Sequence, residues 1–540
     1  MQTKTFTTKE CISKPLNVIQ HFLVENNNQE LQKYFENKFT SKEDFKQVNK
    51  IPECSLVRFR AMVQNNNFDY EIYMSKFEII DQNGNKKTKF CKYSDEFEQD
   101  IGGEFHNPDT IDTSSSSSSN SFDERQLYYC VSVPGESSWN LHEEHIDTSL
   151  EANLNLNNSD DQKTSRDNRM SDDEMKKVSA KFPFPNENHV GAIVKIYESE
   201  NMLKVTDVVE FIGVFNHPRN IPEDNSLGVD VDDPTKLIRV PSIHAIFYRN
   251  LHPSGNPNLS SNIITHLTPE LKVNILSIRK FLIQYISSVF NGDALVAEFV
   301  LLQLLSRTFS RHNGISLVGK LVLNISNLPK CKVTSTEQQQ HPNIKLKHDN
   351  DFAKNIATML SSLLPKYHDL PLTLSSLNTN YYYPRSDHVL DSGVFQVSNG
   401  TWFLIDETVL DEGKLNTNDD DTANLNLFEG EEKDEEVLLK FRNFISIQRY
   451  SDYTIPENVS EYIQKDFLSQ RQRQSQRSSN NDNKLFLSSE DFMLRMTLAR
   501  LIALSFGAEE LTIDLWNYTQ KLDDERKLRI EQFKSLAKRI

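Results

Sequence analysis

Residues 390–407 read LDSGVFQVSNGTWFLIDE, and this stretch decides the fold predicted for the second half of the chain. Its apolar residues form two short runs, at 393–397 and 402–405, separated by Ser398-Asn399-Gly400. An Asn-Gly pair between two β-type runs is typical of a hairpin. The second run ends in an acidic pair at 406–407, so the pattern predicts a strand with two carboxylates at its carboxyl end.

Outward from this stretch, residues 268–540 alternate between helical and strand patterns. Thr268 is a good N-cap, and Pro269 suits the first position of a helix. Apolar periodicity predicts helices at 271–290, 294–309, 352–364, 492–506 and 513–522, and strands at 320–325 and 372–377. The order predicts an α/β core closed by a last pair of helices.

The first half of the chain has helical spacing only at 14–40, where we predict two short helices. From residue 55 onward, apolar runs predict strands at 55–63, 70–74, 127–133, 190–197, 205–214 and 237–248. Short strands joined by variable loops are typical of a small β-barrel such as an OB-fold. Two polar tracts within this region carry too little apolar surface to offset the entropy of ordering, so we predict disordered insertions there.

These patterns predict a multidomain α+β chain in five parts. An N-terminal helical segment takes residues 1–50, and an OB-like β domain takes 51–217, with its disordered insertions at about 104–124 and 140–182. A linker and β-rich connection follow at 218–260, with the polar, proline-bearing part at 218–236. The α/β core takes 261–480, and a helical lid and tail take 481–540.

Net charge argues against a nucleic-acid surface that covers the whole molecule. The 540 residues contain 60 Lys+Arg and 77 Asp+Glu, a formal charge of −17, which repels a phosphate backbone. Direct binding would need a local basic patch, for which the candidates are the arginines 471, 473 and 477 and the tail at 526–539. Both read more simply as charged, solvated faces. The cysteines are few and scattered, and no long apolar run predicts a membrane span, so we expect a soluble, intracellular chain without structural zinc.

The stretch at 390–407 resembles the segment of minichromosome maintenance ATPases that leads into their Walker B strand. Residues 495–514 look like the helical lid of the same ATPases, so the resemblance implies an AAA+-like core. A working core needs a glycine-rich turn whose backbone amides hold phosphates. The expected place, 326–333, has no glycine, and Pro329 removes a donor. Gly314 and Gly319-Lys320 satisfy the P-loop spacing, but Leu321 stands where a hydroxyl is needed. We therefore predict a degenerate ATPase core.

Five further segments are similar to signature segments of the minichromosome maintenance complex-binding protein family. They lie at 55–65, 128–139, 194–207, 404–415 and 511–516, in the family's order. The resemblance implies a non-enzymatic partner of the replicative helicase that contacts its subunits, with roles in helicase assembly, unloading and sister-chromatid cohesion. It also implies a nuclear protein whose association with chromatin is indirect. It implies no cofactor, no metal, no membrane and no small-molecule substrate.

Other chemical motifs have simpler explanations. His142-Glu143-Glu144-His145 has its histidines three apart, whereas a zinc helix needs them four apart. Gly135-Glu136-Ser137-Ser138-Trp139 lacks the final glycine of a nucleophile elbow. Tyr381-Tyr382-Tyr383 is typical of base stacking or of a packed protein contact. Two rival functions stay open, an active AAA+ ATPase and an OB-fold protein that binds single-stranded DNA. The sequence predicts no catalytic or metal-binding residues and does not identify the residues that contact the partner.

Overall fold

The computed structural model is a mixed α+β protein of two compact units. It describes residues 6–24, 28–39, 51–68, 70–80, 86–95, 121–142, 172–184, 187–197, 202–222, 237–251, 269–308, 310–312, 316–326, 351–386, 390–410, 435–477 and 488–537. The first unit combines Met1–Gly255 with Pro365–Leu427, and the second combines Asn256–Leu364 with Phe428–Ile540. These bounds differ from the predicted division, because residues 365–427 pack with the first half of the chain.

Three short helices open the first unit: α1 (Thr8–Ser13), α2 (Pro15–Val24) and α3 (Asn28–Lys38). The two helices predicted at 14–40 are confirmed as α2 and α3. A capping box between Thr7 and Glu10 starts α1. The helices bury an apolar stripe that includes Ile19 and Phe35 against one face of a β-sheet.

Seven strands form that sheet within the described residues. They are β1 (Leu56–Asn65), β2 (Glu71–Ile80), β3 (Lys86–Phe90), β4 (Ser121–Val131), β5 (Gly191–Ile196), β6 (Val208–Pro222) and β7 (Leu237–Asn250). Their order is β1-β6-β7-β5-β4-β2-β3, and β4 also pairs with β1. All pairs are antiparallel except β5 with β7. Each of β1, β4, β5, β6 and β7 therefore has a strand neighbour on both sides.

The strands β1 and β5 are buried on both faces, which explains why they read as nearly continuous apolar runs. Along β1, Val57, Phe59, Ala61 and Val63 enter one core, while Met62 faces another. Alternate side chains of a strand point to opposite faces, so the two sets cannot share one core.

The linker predicted at 218–236 does not begin at residue 218. Strand β6 continues to Pro222, and β7 pairs with both β6 and β5 as an integral strand. The first residues of the predicted linker, although polar, belong to β6 and pair with β7. Residues 223–236 lie outside the described part of the chain.

The insertions predicted at about 104–124 and 140–182 include residues at their ends that belong to a strand or a helix. Residues 96–120 and 143–171 lie outside the described residues, so the disorder predicted there stays a prediction. Strand β4 already begins at Ser121, where it pairs with β2. Two helices, α4 (Ser138–His142) and α5 (Asp172–Ala180), lie within the second tract. Phe182 and Phe184 follow α5 and are buried, which supplies the apolar surface that the rest of the tract lacks.

Residues 365–410 return to the first unit and pack against the part of the sheet that contains Met62, Leu127 and Ile193. Their elements are β10 (Tyr367–Pro371), α9 (Leu374–Thr379), β11 (Arg385–Ser386), β12 (Leu390–Asp391) and β13 (Trp402–Asp406). The strand predicted at 372–377 is wrong, because a capping box at Thr373 starts a helix there. The hairpin predicted at 393–397 and 402–405 is also wrong, since β13 pairs in parallel with β10. Leu370, Val394 and Phe403 pack against the sheet.

The described residues of the second unit are helical apart from one short ribbon, β8 (Ser310–His312) with β9 (Ser316–Val318). Its helices are α6 (Pro269–Val289), α7 (Ala294–Leu305), α8 (Asp351–Leu363), α10 (Glu435–Tyr450), α11 (Glu457–Arg477), α12 (Ser489–Ser505) and α13 (Ile513–Ala537). Residues 320–325 are not a strand, because Ser306 Oγ accepts from Leu321 N at 2.7 Å and takes the place of a ladder partner. The α/β core predicted for 261–480 has no parallel sheet within the described residues of this unit.

No single described helix is long and apolar enough to cross a membrane, and α6 and α7 reach that length only as a pair bent by 115°. Asp293 caps α7 by accepting from Leu295 N and Val296 N. Arg495 of α12 pairs with buried Asp523 of α13 at 2.9 Å. These polar contacts fix the ends and the crossings of an otherwise apolar bundle.

Candidate interaction surface

Asp406, predicted as a Walker B carboxylate, forms a local turn in the structure. Its Oδ1 accepts from Thr408 N at 2.9 Å and from Thr408 Oγ1 at 2.6 Å. Glu407 is exposed. A carboxylate oxygen that accepts from the backbone and side chain two residues further on forms an Asx-turn. The acidic pair therefore ends a strand.

A second carboxylate lies beside this strand end. Asp369 is on β10, which pairs with β13. Desolvation, followed by the negative charge of Asp406, raises the pKa of Asp369 to about 6. Two carboxylates are too few ligands for a typical metal site, and no group of three His, Cys, Asp or Glu converges within the described residues.

The predicted phosphate turn falls mostly outside the described part of the chain, which ends at Ser326 and resumes at residue 351. Gly319 and Lys320 are described. No helix follows them up to Ser326, although a P-loop must lead into a helix N-terminus. The described residues that follow this pair therefore lack the helix N-terminus that a phosphate loop needs.

The segment 134–140 fastens residues 365–367 to the sheet. Gly135 has φ +69°, and a Cβ there would lie 2.9 Å from Tyr367 O. Tyr367 N donates to Gly135 O at 2.7 Å. Buried Glu136 pairs with Arg60 of β1 at 2.9 Å and accepts from Asn140 at 2.6 Å. This signature run therefore has a structural role, and of the neighbouring His-Glu-Glu-His run only His142 is described.

The stretch 390–400 is anchored to the same unit by buried polar contacts. Gln64 of β1 and Gln396 exchange two hydrogen bonds, at 3.0 and 3.1 Å. Lys366 donates to Ser398 Oγ at 2.9 Å and to the Asn399 carbonyl at 2.7 Å. Buried donors and acceptors that satisfy one another in this way fix a single arrangement of the chain.

The anchored stretch places a cluster of apolar side chains in solvent. Val394 N donates to Tyr381 O at 2.8 Å and Phe395 N to Tyr382 O at 3.0 Å, which holds the tyrosine run against the turn. Tyr382 packs inward, whereas Tyr383 is 74% exposed and Phe395 42% exposed. Their ring centroids are 6.1 Å apart.

Strand β13 extends this cluster. Phe395 contacts the ring of Phe403 at 5.5 Å. Ile405, 50% exposed, lies on the same side of the strand as Phe403, since side chains alternate. Tyr383, Phe395 and Ile405 together are called the aromatic surface below. Arg385 stacks on the neighbouring Tyr381 at 3.3 Å. Large apolar side chains held rigidly in solvent are typical of protein contacts.

A buried polar network elsewhere in the first unit is centred on Asp95. Its Oδ1 accepts from Arg125 at 2.6 Å and from Lys195 at 2.8 Å. Its Oδ2 is 3.2 Å from His244 Nε2. Burial alone raises the pKa of Asp95, but the hydrogen bond from His244 and the two cations outweigh it and hold that pKa far below its ordinary value.

The proton positions in this network follow from its donors. Arg125 donates to the Tyr197 hydroxyl at 2.8 Å, so that hydroxyl donates in turn to His244 Nδ1 at 2.6 Å. His244 then carries its proton on Nε2 and donates to Asp95. Burial lowers the pKa of His244, although Asp95 opposes the effect. The imidazole is therefore neutral, and the network is a structural tie between β4, β5 and β7.

The basic stretches considered for nucleic acid are largely engaged by the protein itself. Arg526 pairs with Asp523 at 2.7 Å and Arg529 with Asp293 at 2.6 Å. Arg471 lies over the ring of Phe467 at 5.6 Å. The side chains at 473 and 477 lie outside the described residues. Arginines that are paired with carboxylates do not form a continuous phosphate-binding stripe.

Sequence reasoning missed both the aromatic surface and the Asp95 network. Lys195 and His244 interrupt apolar strands, which was a usable signal that their polar groups meet a partner. Asp95 had no comparable signal, because it follows β3 in a polar stretch. Exposed Tyr383 cannot be told from buried Tyr382 by residue type alone.

Comparisons with known proteins agree with one another. The family model described as Mini-chromosome maintenance replisome factor matches residues 44–176, 140–425 and 417–530. The chain is similar to the mini-chromosome maintenance complex-binding protein of Salmo salar, with 24% identity over 98% of this chain and 99% of that protein. Its counterpart from Gallus gallus is 26% identical over 90% of each chain. The Drosophila melanogaster protein is 24% identical over 90% of this chain and 91% of its own.

Proposed function

The chain belongs to the Mini-chromosome maintenance replisome factor family, and from that premise we propose that it binds the mini-chromosome maintenance complex without catalysing a reaction of its own. The observation that carries the proposal is the length of the similarity. Relatives named for binding this complex match the chain almost from end to end.

The geometry at 402–408 supports the non-catalytic part of the proposal. In an active ATPase, a Walker B carboxylate holds Mg²⁺ and its neighbour orients water. Asp406 instead accepts two hydrogen bonds from Thr408. An ATP-hydrolysing function would have to displace these contacts.

The aromatic surface is the contact that we assign to the complex. Aromatic side chains contribute most to binding when they are presented rigidly, because little conformational entropy is lost. Backbone hydrogen bonds at Val394 and Phe395 supply that rigidity. The occupant is a helicase subunit that offers an apolar pocket.

The cellular role follows from the partner. We propose that the chain acts in the nucleus, in assembly and unloading of the helicase and in sister-chromatid cohesion, and that it reaches chromatin through the complex. We also propose that the sheet of the first unit is OB-like. The mutual pairing of the five strands β1, β4, β5, β6 and β7 supports that assignment.

Binding is tested with the purified full-length chain and the helicase subunits of the same organism, mixed singly and as the assembled complex. Native mass spectrometry should detect a complex of defined stoichiometry. ATP turnover by the chain alone should equal that of an Asp406→Asn variant. The proposal fails if no subunit binds, or if turnover is measurable and depends on Asp406.

The DNA-binding rival is tested with the same preparation. A single-stranded oligonucleotide should form no complex at low salt in a gel-shift experiment, where phosphate contacts are strongest. A shift that disappears steeply as salt rises would favour the rival. Fluorescent fusions report localisation, and exclusion from nuclei would contradict the nuclear role.

A further inference from the structure

Three arginines meet in the second unit, where the ends of α7 and α10 approach α12. The guanidinium carbon of Arg307 lies 5.1 Å from the centroid of the Tyr450 ring, and that of Arg449 lies 5.8 Å from the same centroid. Arg500 is 7% exposed and projects from α12. Helical core residues surround the group, so its charges are only partly screened by water.

The three cations act on one another. Burial, followed by the charge of Arg307, lowers the pKa of Arg500 to about 10, against the opposing effect of Tyr453. Burial and then Arg307 also lower the pKa of Arg449. Arg307 is thus electrostatically coupled to both of the others. Like charges this close in a half-buried site repel one another, and a negative group bound at Arg307 would reduce that repulsion.

Donor groups in the cluster also lack acceptors. Arg307 Nε and the Tyr453 hydroxyl are buried and have no hydrogen-bond partner within the described residues. Arg307 forms no ion pair in the described part of the chain. Buried polar atoms are normally satisfied, and each exception calls for an explanation such as an absent ligand. Here the unsatisfied groups are able to donate, so the absent ligand is an acceptor.

We propose that Arg307, Arg449, Arg500 and Tyr453 form a binding site for a phosphate-type oxyanion, carried as a phosphorylated serine or threonine by a partner protein. A phosphomonoester brings up to two negative charges and three acceptor oxygens, which suits three cations and a hydroxyl. The planar guanidinium matches a phosphate with two parallel hydrogen bonds. The site goes beyond the proposed function and does not depend on it.

A nucleic-acid backbone fits the cluster less well. Phosphates repeat along a strand, so a binding surface needs cations in a row. This cluster is compact, and arginines of α13 in the same unit pair with carboxylates. The chain as a whole carries a formal charge of −17. A single phosphate group on a protein segment avoids both difficulties.

The test titrates the full-length chain with inorganic phosphate and with a short peptide that contains phosphoserine, using calorimetry at constant ionic strength set with chloride. The unphosphorylated peptide is the control ligand. Arg307→Gln should weaken the binding of both phosphate probes about tenfold or more, as expected for the loss of a charge-assisted contact. Arg471→Gln, which changes an exposed arginine of the same unit, should leave binding unchanged.

Thermal unfolding distinguishes a binding role for Arg307 from a purely structural role. Without phosphate, Arg307→Gln should leave the midpoint unchanged or raise it, because it removes repulsion. The wild-type midpoint should rise with phosphate more than with chloride, and the variant should lose that increment. The proposal is overturned if phosphate does not bind, if Arg307→Gln binds it equally well, or if Arg307→Gln lowers the midpoint without phosphate. Binding of inorganic phosphate without the phosphopeptide, or preference for an oligonucleotide, would overturn the assigned partner.

Discussion

Asp95 lies among Arg125, Lys195 and His244, and it shares the two cations with the more exposed Glu71, which pairs with Arg125 at 2.7 Å and with Lys195 at 3.2 Å. We expect Asp95→Asn to lower the free energy of unfolding by about 3–5 kcal/mol, because Arg125 and Lys195 would remain buried with less negative charge. Urea titration followed by circular dichroism measures the change.

Asp391→Asn is the matched control. Asp391 pairs with Lys181 at 3.1 Å, but its side chain is 45% exposed, so screening leaves the pair worth less than about 1 kcal/mol. Equal losses for the two variants would show that Asp95 is not the centre of a cooperative network.

His244 gives the first unit a dependence on pH. Because burial lowers its pKa, the folded state keeps the imidazole neutral, while the unfolded chain binds a proton below about pH 6.5. The stability that this contributes is complete above pH 6.5 and is lost as pH falls below that value. The slope approaches about 1.4 kcal/mol per pH unit.

Measuring the free energy of unfolding between pH 7.5 and 5.0 tests this expectation, because histidine ordinarily titrates within that pH range. His244→Gln should flatten that part of the profile while lowering stability at pH 7.5. An unchanged slope in the variant would assign the pH dependence to other histidines.

Gly393 allows the tyrosine run to approach the turn closely. A Cβ at this position would lie 2.3 Å from the carbonyl carbon of Tyr383, a backbone atom that cannot rotate away. Gly393→Ala should therefore cost about 1–3 kcal/mol and loosen the aromatic surface. Hydrogen exchange should become faster at the amides of Val394 and Phe395.

Gly292→Ala is the control for this change. Gly292 has φ +84° but nothing within 4 Å of a built Cβ, so alanine there is strained only by its backbone conformation. We expect a loss of about 1 kcal/mol with no change in exchange at 394–395. If that segment loosened in both variants, the close approach of Gly393 would not explain the effect.

At the scale of elements, β13 and the turn before it present the aromatic surface. The double variant Tyr383→Ser with Phe395→Ser should weaken binding to the helicase complex by about 100-fold, as two aromatic anchors typically contribute about 1–2 kcal/mol each. Biolayer interferometry measures the dissociation constant. Circular dichroism should be unchanged, since neither side chain is buried in the core.

The rival surface for the same partner is the β2–β4 pair. Phe122 of β4 is 62% exposed, so Phe122→Ser is matched to the double variant in chemistry and exposure. We expect it to bind normally. Loss of binding in this variant, with normal binding in the double variant, would move the contact to β2 and β4.

The sequence predicted elements well where a cap or a long periodic run was present. Pro269 does open a long helix, α6, and the runs near 294, 352, 492 and 513 are helices as expected. It failed where tertiary contacts override local preference. Ser398-Asn399-Gly400 is a strong sequence signal for a hairpin. In the structure, however, Lys366 donates a hydrogen bond to Ser398, and β13 pairs in parallel with β10. A partner thirty-five residues away is invisible to a local pattern.

At the scale of the whole molecule, the first unit needs both of its chain segments. Residues 1–255 alone would leave uncovered the face that Leu370, Val394 and Phe403 occupy. We expect that fragment to be aggregation-prone. Residues 1–255 joined to 365–427 through a Gly/Ser linker of about 12 residues should fold cooperatively.

Size-exclusion chromatography and urea unfolding of the two fragments distinguish these outcomes. The matched control joins 1–255 to residues 365–427 with Leu370 and Phe403 both changed to serine, and it should behave like the short fragment. A short fragment that is monomeric and cooperative would mean that the returning segment is dispensable.

Only part of the division of the chain into domains could be predicted from the sequence. Composition located the polar tracts, and strand patterns located the sheet, because both depend on neighbouring residues. The assignment of 365–427 to the first unit depends on contacts such as Gln64 with Gln396, which are 332 positions apart. The candidate surface was inaccessible for the same reason, since its exposure is set by what Gly393 and Tyr382 pack against.

The return of residues 365–427 to an earlier sheet matters during synthesis. The ribosome delivers β1 to β7 first, then more than a hundred residues of the helical unit, and only afterwards the segment that packs on the apolar surface around Met62, Leu127 and Ile193. At translation rates of about 5–20 residues per second, that apolar face waits for several seconds without its cover. Nascent chains of this protein should therefore recruit holding chaperones once residue 250 has emerged, and release them after residue 406 leaves the exit tunnel.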